Sequence, residues 1–346
     1  MTYIIGEIGQ NHNGSVDIAK LIIDASARPV KELDFNLELK PFDAIKLTKR
    51  DLNFELSKDQ MDSPYTGPNS FGKTYREHRE FLELSDEEHF EIYKYAKSKG
   101  LDFVETLCSP TCLSILKFFT PDRLKVASRD LSNLPLLSSL AETKIPIILS
   151  TGMSDQRDLD IALEIITNYH DNISILHCVS QYPTHPENAN LNTIKYLIDR
   201  YSKFDIGYSD HTIGISAPVI SVGMGAKIIE KHITLDRNMK GTDQSGSLGI
   251  DGMNRMVRDI RIAEKFLGKE DIFIDKSTES AKVKLERSIA TKIDLKKGQI
   301  IKESDIFLLS PGDGTKWKDR DLIIGKKIKQ DIGEHQIIYP NLLEND

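Results

Sequence analysis

Cysteine is scarce in this chain: Cys108, Cys112 and Cys178 are the only three in 346 residues. An odd count in so long a chain argues against a disulfide framework, and CSPTC, with Cys108 and Cys112 but no second pair, does not complete a metal site. Basic charge is not in excess either. Against 46 Lys and Arg stand 53 Asp and Glu, for a formal charge of −7, and the basic residues form no long run. That excludes an electrostatic footprint for nucleic acid, so an anionic ligand must be met by a local site. Long apolar stretches are missing too. No segment approaches a bilayer span, and MTYIIGEIGQNHNG lacks the basic start and apolar run of a signal peptide. A cytoplasmic protein without membrane contact is expected. No internal repeat of solenoid period occurs.

What the chain does have is alternation. Up to about residue 267, short β-branched runs alternate with amphipathic stretches of helical period: YIIGEIG from Tyr3, AIKLT from Ala44, DFVET from Asp102, LKVAS from Leu124, IPIILST from Ile145, ISILHCVS from Ile173, FDIGYS from Phe204 and AKIIEKHI from Ala226. Eight strands with following helices in roughly 250 residues predict a (β/α)₈ TIM barrel, with a doubly wound sheet the weaker alternative. Ser85 with Glu88 reads as a capping box and Gly100 as a helix stop. The stretch 31–43 is longer than a usual αβ connection, and MDSPYTGPNSFGKTYREH, rich in turn formers, is a candidate active-site loop. From 268 to 286 the chain is charged and poor in large apolar residues, as in a linker. From 287 to 346, SIAT, GQII, IFLL, IIGKKI and QIIY are separated by Gly, Asp and Pro, which predicts a small β-rich domain.

In such a barrel the active site forms at the C-terminal ends of the strands. Those ends are polar here: Glu7, Lys46, Thr106, Lys125 with Ser128, Ser150, Ser180 with Tyr182, Ser209 with His211, and His232. Each has an ordinary explanation alone. A strand-end Ser or Thr is commonly a satisfied turn residue, a lysine can snorkel, and a single histidine is usually structural. Together on one rim they mean more. Two lysines inside apolar strands are costly to bury unless an anion meets them, and with the hydroxyls they describe a phosphate or carboxylate pocket. His211 and His232, from adjacent strands, could share one divalent ion with positions left open. His12, beside the first strand end, is a second-rank candidate.

The motifs EIGQNHNGS, KVASRDLSN, PIILSTGMS, LHCVSQYPT, GYSDHT and IIEKHITLDRNMKGTDQSGSL stand in the order and spacing of a known family. The sequence resembles the sialic acid (N-acetylneuraminate) synthases with their C-terminal antifreeze-like, or SAF, domain, over nearly the whole chain. FGKTYREH is similar to a loop of the animal members. The resemblance implies a transferase that condenses phosphoenolpyruvate with a hexose aldehyde, N-acetylmannosamine first among them, with C–O cleavage and release of phosphate. It implies phosphoenolpyruvate contacts at Lys46, Thr106, Lys125, Ser128, Ser150, Ser180 and Ser209. It further implies Mn²⁺ or Mg²⁺ on His211 and His232, and sugar or catalytic contacts at Glu7, Asp130, Tyr182 and Asp243. A domain-swapped homodimer, in which the small domain of one chain covers the barrel of the other, is implied as well.

Four positions depart from the family pattern. Thr48 stands where members usually have glutamine, Arg129 where glycine is common, Gln244 where many have histidine, and Ser310 where bacterial members often place a substrate-binding arginine. They fall mostly on the sugar side. A sister synthase using a 6-phosphate sugar, mannose or a 6-deoxy diamino sugar is therefore the alternative, with a metal-dependent pyruvate aldolase more distant. A carbohydrate- or ice-binding module on an inactive barrel is a third reading, against which the grouping of Lys46, Lys125, His211, His232 and Glu7 speaks.

Overall fold

A computed structural model describes residues 1–344 apart from Asp34. The chain divides into two units, Met1–Gly268 and Lys269–Asp346, each with its own apolar core.

In the first unit, β1 (Tyr3–Gly9) leads through a helix to a small antiparallel hairpin of β2 (Val30–Glu32) and β3 (Leu37–Leu39), which occupies the long connection. There follow β4 (Ala44–Lys49), β5 (Asp102–Leu107), β6 (Arg123–Val126), β7 (Ile147–Ser150), β8 (Ile173–Cys178), β9 (Asp205–Asp210) and β10 (Ile228–His232). β1 and β4–β10 close into a barrel of parallel strands in chain order, with β10 returning to β1. Closure sets Glu7 opposite His232 on one side and opposite Lys46 on the other.

The strands are buried on both faces, which is why they read as near-continuous apolar runs. Their outward residues, among them Ile4, Ile8, Ile45, Leu47, Phe103 and Leu149, join the helices in the main core. The inward residues Ile5, Ala44, Val104, Ile148, Leu176 and Ile228 form a separate cluster inside the barrel. Side chains alternate along a strand, so two positions further on the inward residues are Glu7, Lys46, Thr106, Ser150, Cys178 and Glu230. An apolar floor thus carries a polar layer above it.

Helix punctuation follows local chemistry. Ser85 and Glu88 make their reciprocal capping bonds ahead of the helix Asp86–Ser98, and Gly100 takes a φ of +77° just beyond it, where a side chain would be strained. Arg261, on the helix Ile250–Phe266, is 2 % exposed. It donates to the Thr2 carbonyl at 2.7 Å and to Asp43 Oδ2 at 2.6 Å, fastening the last helix to the start of β1 and β4.

The second unit begins with a helix, Glu279–Leu285, inside the stretch whose composition suggests a linker. Its ladder is short: β11 (Ser288–Thr291) pairs antiparallel with β12 (Ile306–Leu309). GQII, IIGKKI and QIIY contribute single bridges, Ile300 to Lys327, Ile328 to Leu343 and Ala290 to Ile337. Ile289, Leu295, Ile301, Ile306, Ile328 and Ile338 fill the core they enclose. Among the described residues no helix is long and apolar enough to cross a membrane, and all three cysteines are free and buried.

Candidate active site

A cavity of about 200 Å³ opens at the C-terminal ends of the barrel strands. Of the sequence-derived candidates, Glu7, Lys46, Thr106, Lys125, Ser128, Ser150, Ser180, Tyr182, Ser209, His211, His232 and Asp243 line it. Asp130 does not. It sits beside the rim, accepting from Arg129 Nε at 3.3 Å and Asn133 Nδ2 at 3.5 Å. His12 is buried apart from the cavity and accepts from the Gly14 amide at 3.0 Å.

The floor of the cavity is an ionic square. Lys46 Nζ lies 2.5 Å from Glu7 Oε2 and 3.6 Å from Glu230 Oε1, and Lys125 Nζ is 3.6 Å from the same Glu230 oxygen. All four side chains are at most 7 % exposed. Burial alone would discharge every one of them, and their mutual attraction decides which stays charged. Burial pushes Glu7 upward, against the pull of Lys46. For Glu230 burial is outweighed by Lys125 and Lys46, which hold it well below the usual carboxylate range. Lys46 likewise resists burial through Glu230 and Glu7 and is raised. Lys125, with Glu230 as its main partner, is lowered by burial.

Hydroxyls surround the square. Lys46 donates to Thr106 Oγ1 at 3.3 Å, and Ser209 Oγ donates to Glu230 Oε1 at 3.0 Å. Gly152 gives its amide to Ser128 Oγ at 3.0 Å. A Cβ at Gly152 would lie 2.5 Å from Ser180 Oγ and 2.9 Å from Ser128 Oγ, so the glycine lets these hydroxyls converge. Ser150 Oγ and Glu230 Oε2 are buried with no hydrogen-bond partner. Such groups are expensive to leave unmade: the Ser150 hydroxyl and the two ammonium groups offer donors to an anion, while the Glu230 oxygen can be met only by a donor. The arrangement suits a small, highly charged anion.

Higher up, the Nε2 atoms of His211 and His232 converge on the Tyr182 hydroxyl, at 2.5 and 3.0 Å. His211 Nδ1 donates to the Val179 carbonyl at 2.8 Å, which leaves its Nε2 lone pair facing the cavity. Burial, aided by His232, drops its pKa to about 3, so it is a neutral donor. Two imidazoles aimed at one point fit a divalent cation. Among the described residues no group of three or more His, Cys, Asp or Glu side chains is so placed.

The turn-rich loop borders the site. From the helix Tyr75–Leu82, Arg79 Nη1 donates to Gln10 Oε1 at 2.6 Å, Gln10 Nε2 to Thr242 Oγ1 at 2.5 Å, and Thr242 Oγ1 to Asp243 Oδ1 at 3.0 Å. Of the four departures, Thr48 and Arg129 line the cavity. Gln244 is fully buried, and its amide is taken up by Asn11 O and Asn13 Oδ1 at 3.1 and 3.3 Å. Ser310 Oγ donates to the Leu285 carbonyl at 2.9 Å within its own unit. Sequence reasoning missed Glu230, in the floor of the cavity, and Arg50, on its wall. The missed signal is period two: Ile228, Glu230 and His232 share one strand face, as do Lys46, Thr48 and Arg50.

A sequence model of the NeuB family matches residues 40–271, and one of the SAF domain matches residues 286–344. An uncharacterized protein of Methanocaldococcus jannaschii is 38 % identical over 339 residues, covering 98 % of this chain and 93 % of that one. The human N-acetylneuraminate-9-phosphate synthase is 32 % identical over 345 residues, covering 99 % and 93 %. A crystal structure of N-acetylneuraminic acid synthetase from Leptospira borgpetersenii, solved with citrate, aligns with a TM-score of 0.66 at 29 % identity, over 81 % of this chain and 90 % of that one. A barrel with this polar floor, matched by the family over most of its length and followed by an SAF domain, belongs to the NeuB family of sialic and related nonulosonic acid synthases.

Proposed function

We propose that the protein condenses phosphoenolpyruvate with a hexose aldehyde of the N-acetylmannosamine type to give a nine-carbon ulosonic acid and inorganic phosphate. The observation that carries this reading is the pair of buried lysines set between Glu7 and Glu230 under a ring of convergent hydroxyls. Lys46 and Lys125 neutralise the phosphate and carboxylate, while Thr106, Ser128, Ser150, Ser180 and Ser209 donate to their oxygens. C3 of phosphoenolpyruvate forms the new bond to the aldehyde carbon as its C2–C3 double bond opens. The aldehyde oxygen takes up a proton from solvent, and Glu7 returns one to solvent at the end of the cycle. The positive charge left on C2 is offset by Glu230 and Glu7. Water adds to C2, and Glu7, lifted by burial toward a useful base, accepts its proton. The C2–O bond to phosphate then breaks as the C2 hydroxyl passes its proton to the departing phosphate, leaving the ketone. Tyr182 and Asp243 orient the sugar, with Asp130 at the rim. His211 and His232 would hold Mn²⁺ or Mg²⁺, which when bound supplies Lewis acidity toward a carbonyl oxygen. The synthase works in the cytoplasm as a homodimer whose SAF domain covers the partner's barrel and limits water at the cationic stage.

A screen for phosphate release from phosphoenolpyruvate over a panel of aldehyde sugars tests the reaction. With ¹⁸O in the bridging position, the label must leave with phosphate. Pyruvate as the productive donor, or label retained in the sugar acid, would overturn the proposal.

A further inference from the structure

Two strands, β4 and β6, with β5 between them, carry cations at two heights. On β4, Lys46, Thr48 and Arg50 alternate toward the interior, Arg50 standing just past the strand end at Lys49. β6 bears Lys125, and the turn Ser128–Asp130 after it bears Arg129. Between them β5 supplies Thr106 and, beyond its end, Cys108. All of these line the cavity. Four residues of extended chain span about 13 Å, so Arg50 stands well above Lys46, toward the mouth.

The upper tier is balanced like the lower one, but less completely. Glu55, whose side chain is 1 % exposed, accepts from Arg129 Nη1 and Nη2 at 2.8 and 3.2 Å, and Asp130 accepts from Arg129 Nε at 3.3 Å. Arg129 is therefore held. Arg50 has only an ion contact of 3.4 Å from its Nε to Glu55 Oε1, while Glu83 is engaged by the Arg50 backbone amide at 2.9 Å. Among the described residues no atom accepts a hydrogen bond from the Arg50 guanidinium, and its Nε is buried without a partner. Cys108, pushed up to about 11 mainly by burial, is a neutral thiol and adds no counter-charge. The Arg50 side chain is 16 % exposed and, of its nitrogens, only Nε is buried without a hydrogen-bond partner, so the terminal nitrogens open on the cavity, where their planar fork suits phosphate or carboxylate. The lower tier has its own lysines and hydroxyls for the donor substrate, which leaves the upper tier to whatever enters after it.

We propose that Arg50, with Arg129 beside it, is a specificity-determining residue that recognises an acidic group, phosphate or carboxylate, on the second substrate. The acceptor is then an acidic hexose in preference to a neutral one. The word acceptor rests on the synthase reading above, but the recognition can be measured without turnover. Calorimetry on the full chain, freed of divalent cations, would compare N-acetylmannosamine, its 6-phosphate and its C6 uronate, with phosphoenolpyruvate titrated separately. One acidic sugar is expected to bind at least about ten-fold more tightly than the neutral one, the scale of a charge-assisted contact; which of the two does so identifies the acid as phosphate or carboxylate. Arg50→Met should erase that margin and Arg50→Lys should keep part of it, with a larger loss for the acidic sugar than for phosphoenolpyruvate. Should Arg50→Met not fold, Arg129→Gly on the same panel decides. Equal affinities for the three sugars, no binding by any of them, or a loss in the variants that falls on phosphoenolpyruvate instead would overturn the inference. Failure of the wild type to bind phosphoenolpyruvate while it still ranks the sugars would sink the synthase reading and leave Arg50 as an acid-reading residue.

Discussion

Replacing Glu230 with glutamine removes the charge that both lysines share while keeping the side chain's volume. Glu230 Oε1 lies 3.6 Å from each ammonium. At that distance and an effective dielectric of ~20, each contact is worth about 4–5 kcal/mol, enough to move an ammonium's titration by up to roughly three pH units. Lys46 keeps Glu7 at 2.5 Å, whereas Lys125 has no other close carboxylate among its ion pairs. Lys125 already lies below its ordinary value because of burial, with Glu230 the main force opposing the drop. Its protonated form binds anions, so affinity is present below its pKa and lost as pH rises through it. Removing Glu230 lowers that pKa further and brings the loss to lower pH. At the low end of the pH range, wherever Lys125 is protonated in both proteins, the variant lacks one negative charge beside the anion and should bind phosphoenolpyruvate at least as tightly. By pH 9 it should bind at least ten-fold more weakly. Calorimetric Kd values for both proteins, taken as a ratio at each pH, cancel the ligand's own ionisation. A ratio that stays flat from pH 6 to 9 would refute the assignment of Lys125 as the labile cation.

Lys46→Ala and Lys125→Ala should each weaken phosphoenolpyruvate more than sugar, by roughly 1.5–3 kcal/mol for a lost charge-assisted contact; unchanged Kd values in both would remove the lysines from the anion site. Manganese titration by calorimetry should show one exchangeable site of modest affinity that is lost in His211→Ala and in His232→Ala, and activity abolished by chelator should return with Mn²⁺ or Mg²⁺ only in the wild type; undiminished turnover after thorough metal stripping would contradict it. For the proposed homodimer, truncation after Gly268 should leave a folded barrel with little turnover. Mixing truncated chains with full-length Lys46→Ala chains under subunit exchange should restore activity, because the hybrid joins an intact barrel to an intact SAF domain. No restoration in verified hybrids would exclude action across the dimer.

The eight strands and their order were legible because parallel strands buried on both faces need apolar runs, and helix caps such as Ser85 with Glu88 depend on neighbours three residues away. Lys46 and Lys125 were legible for the same reason, as charges where apolar side chains belong. The hairpin at Val30–Glu32 and Leu37–Leu39 was not, since the stretch that holds it reads only as an overlong connection. In IIEKH the alternation that puts His232 on the cavity face puts Glu230 there too and Lys231 on the outer face, but which face turns inward is not written in the five residues themselves. Barrel closure decides it: Lys231 pairs with Asp210 at 2.5 Å behind the strands, while Glu230 turns inward to Lys46 and Lys125. That choice depends on the register of β10 against β1, whose partners lie 225 residues apart along the chain. Composition and periodicity decide which residues must be buried. Only the closed barrel decides which buried charges face one another, because strand register, set by the whole ring, fixes which side chains share its interior.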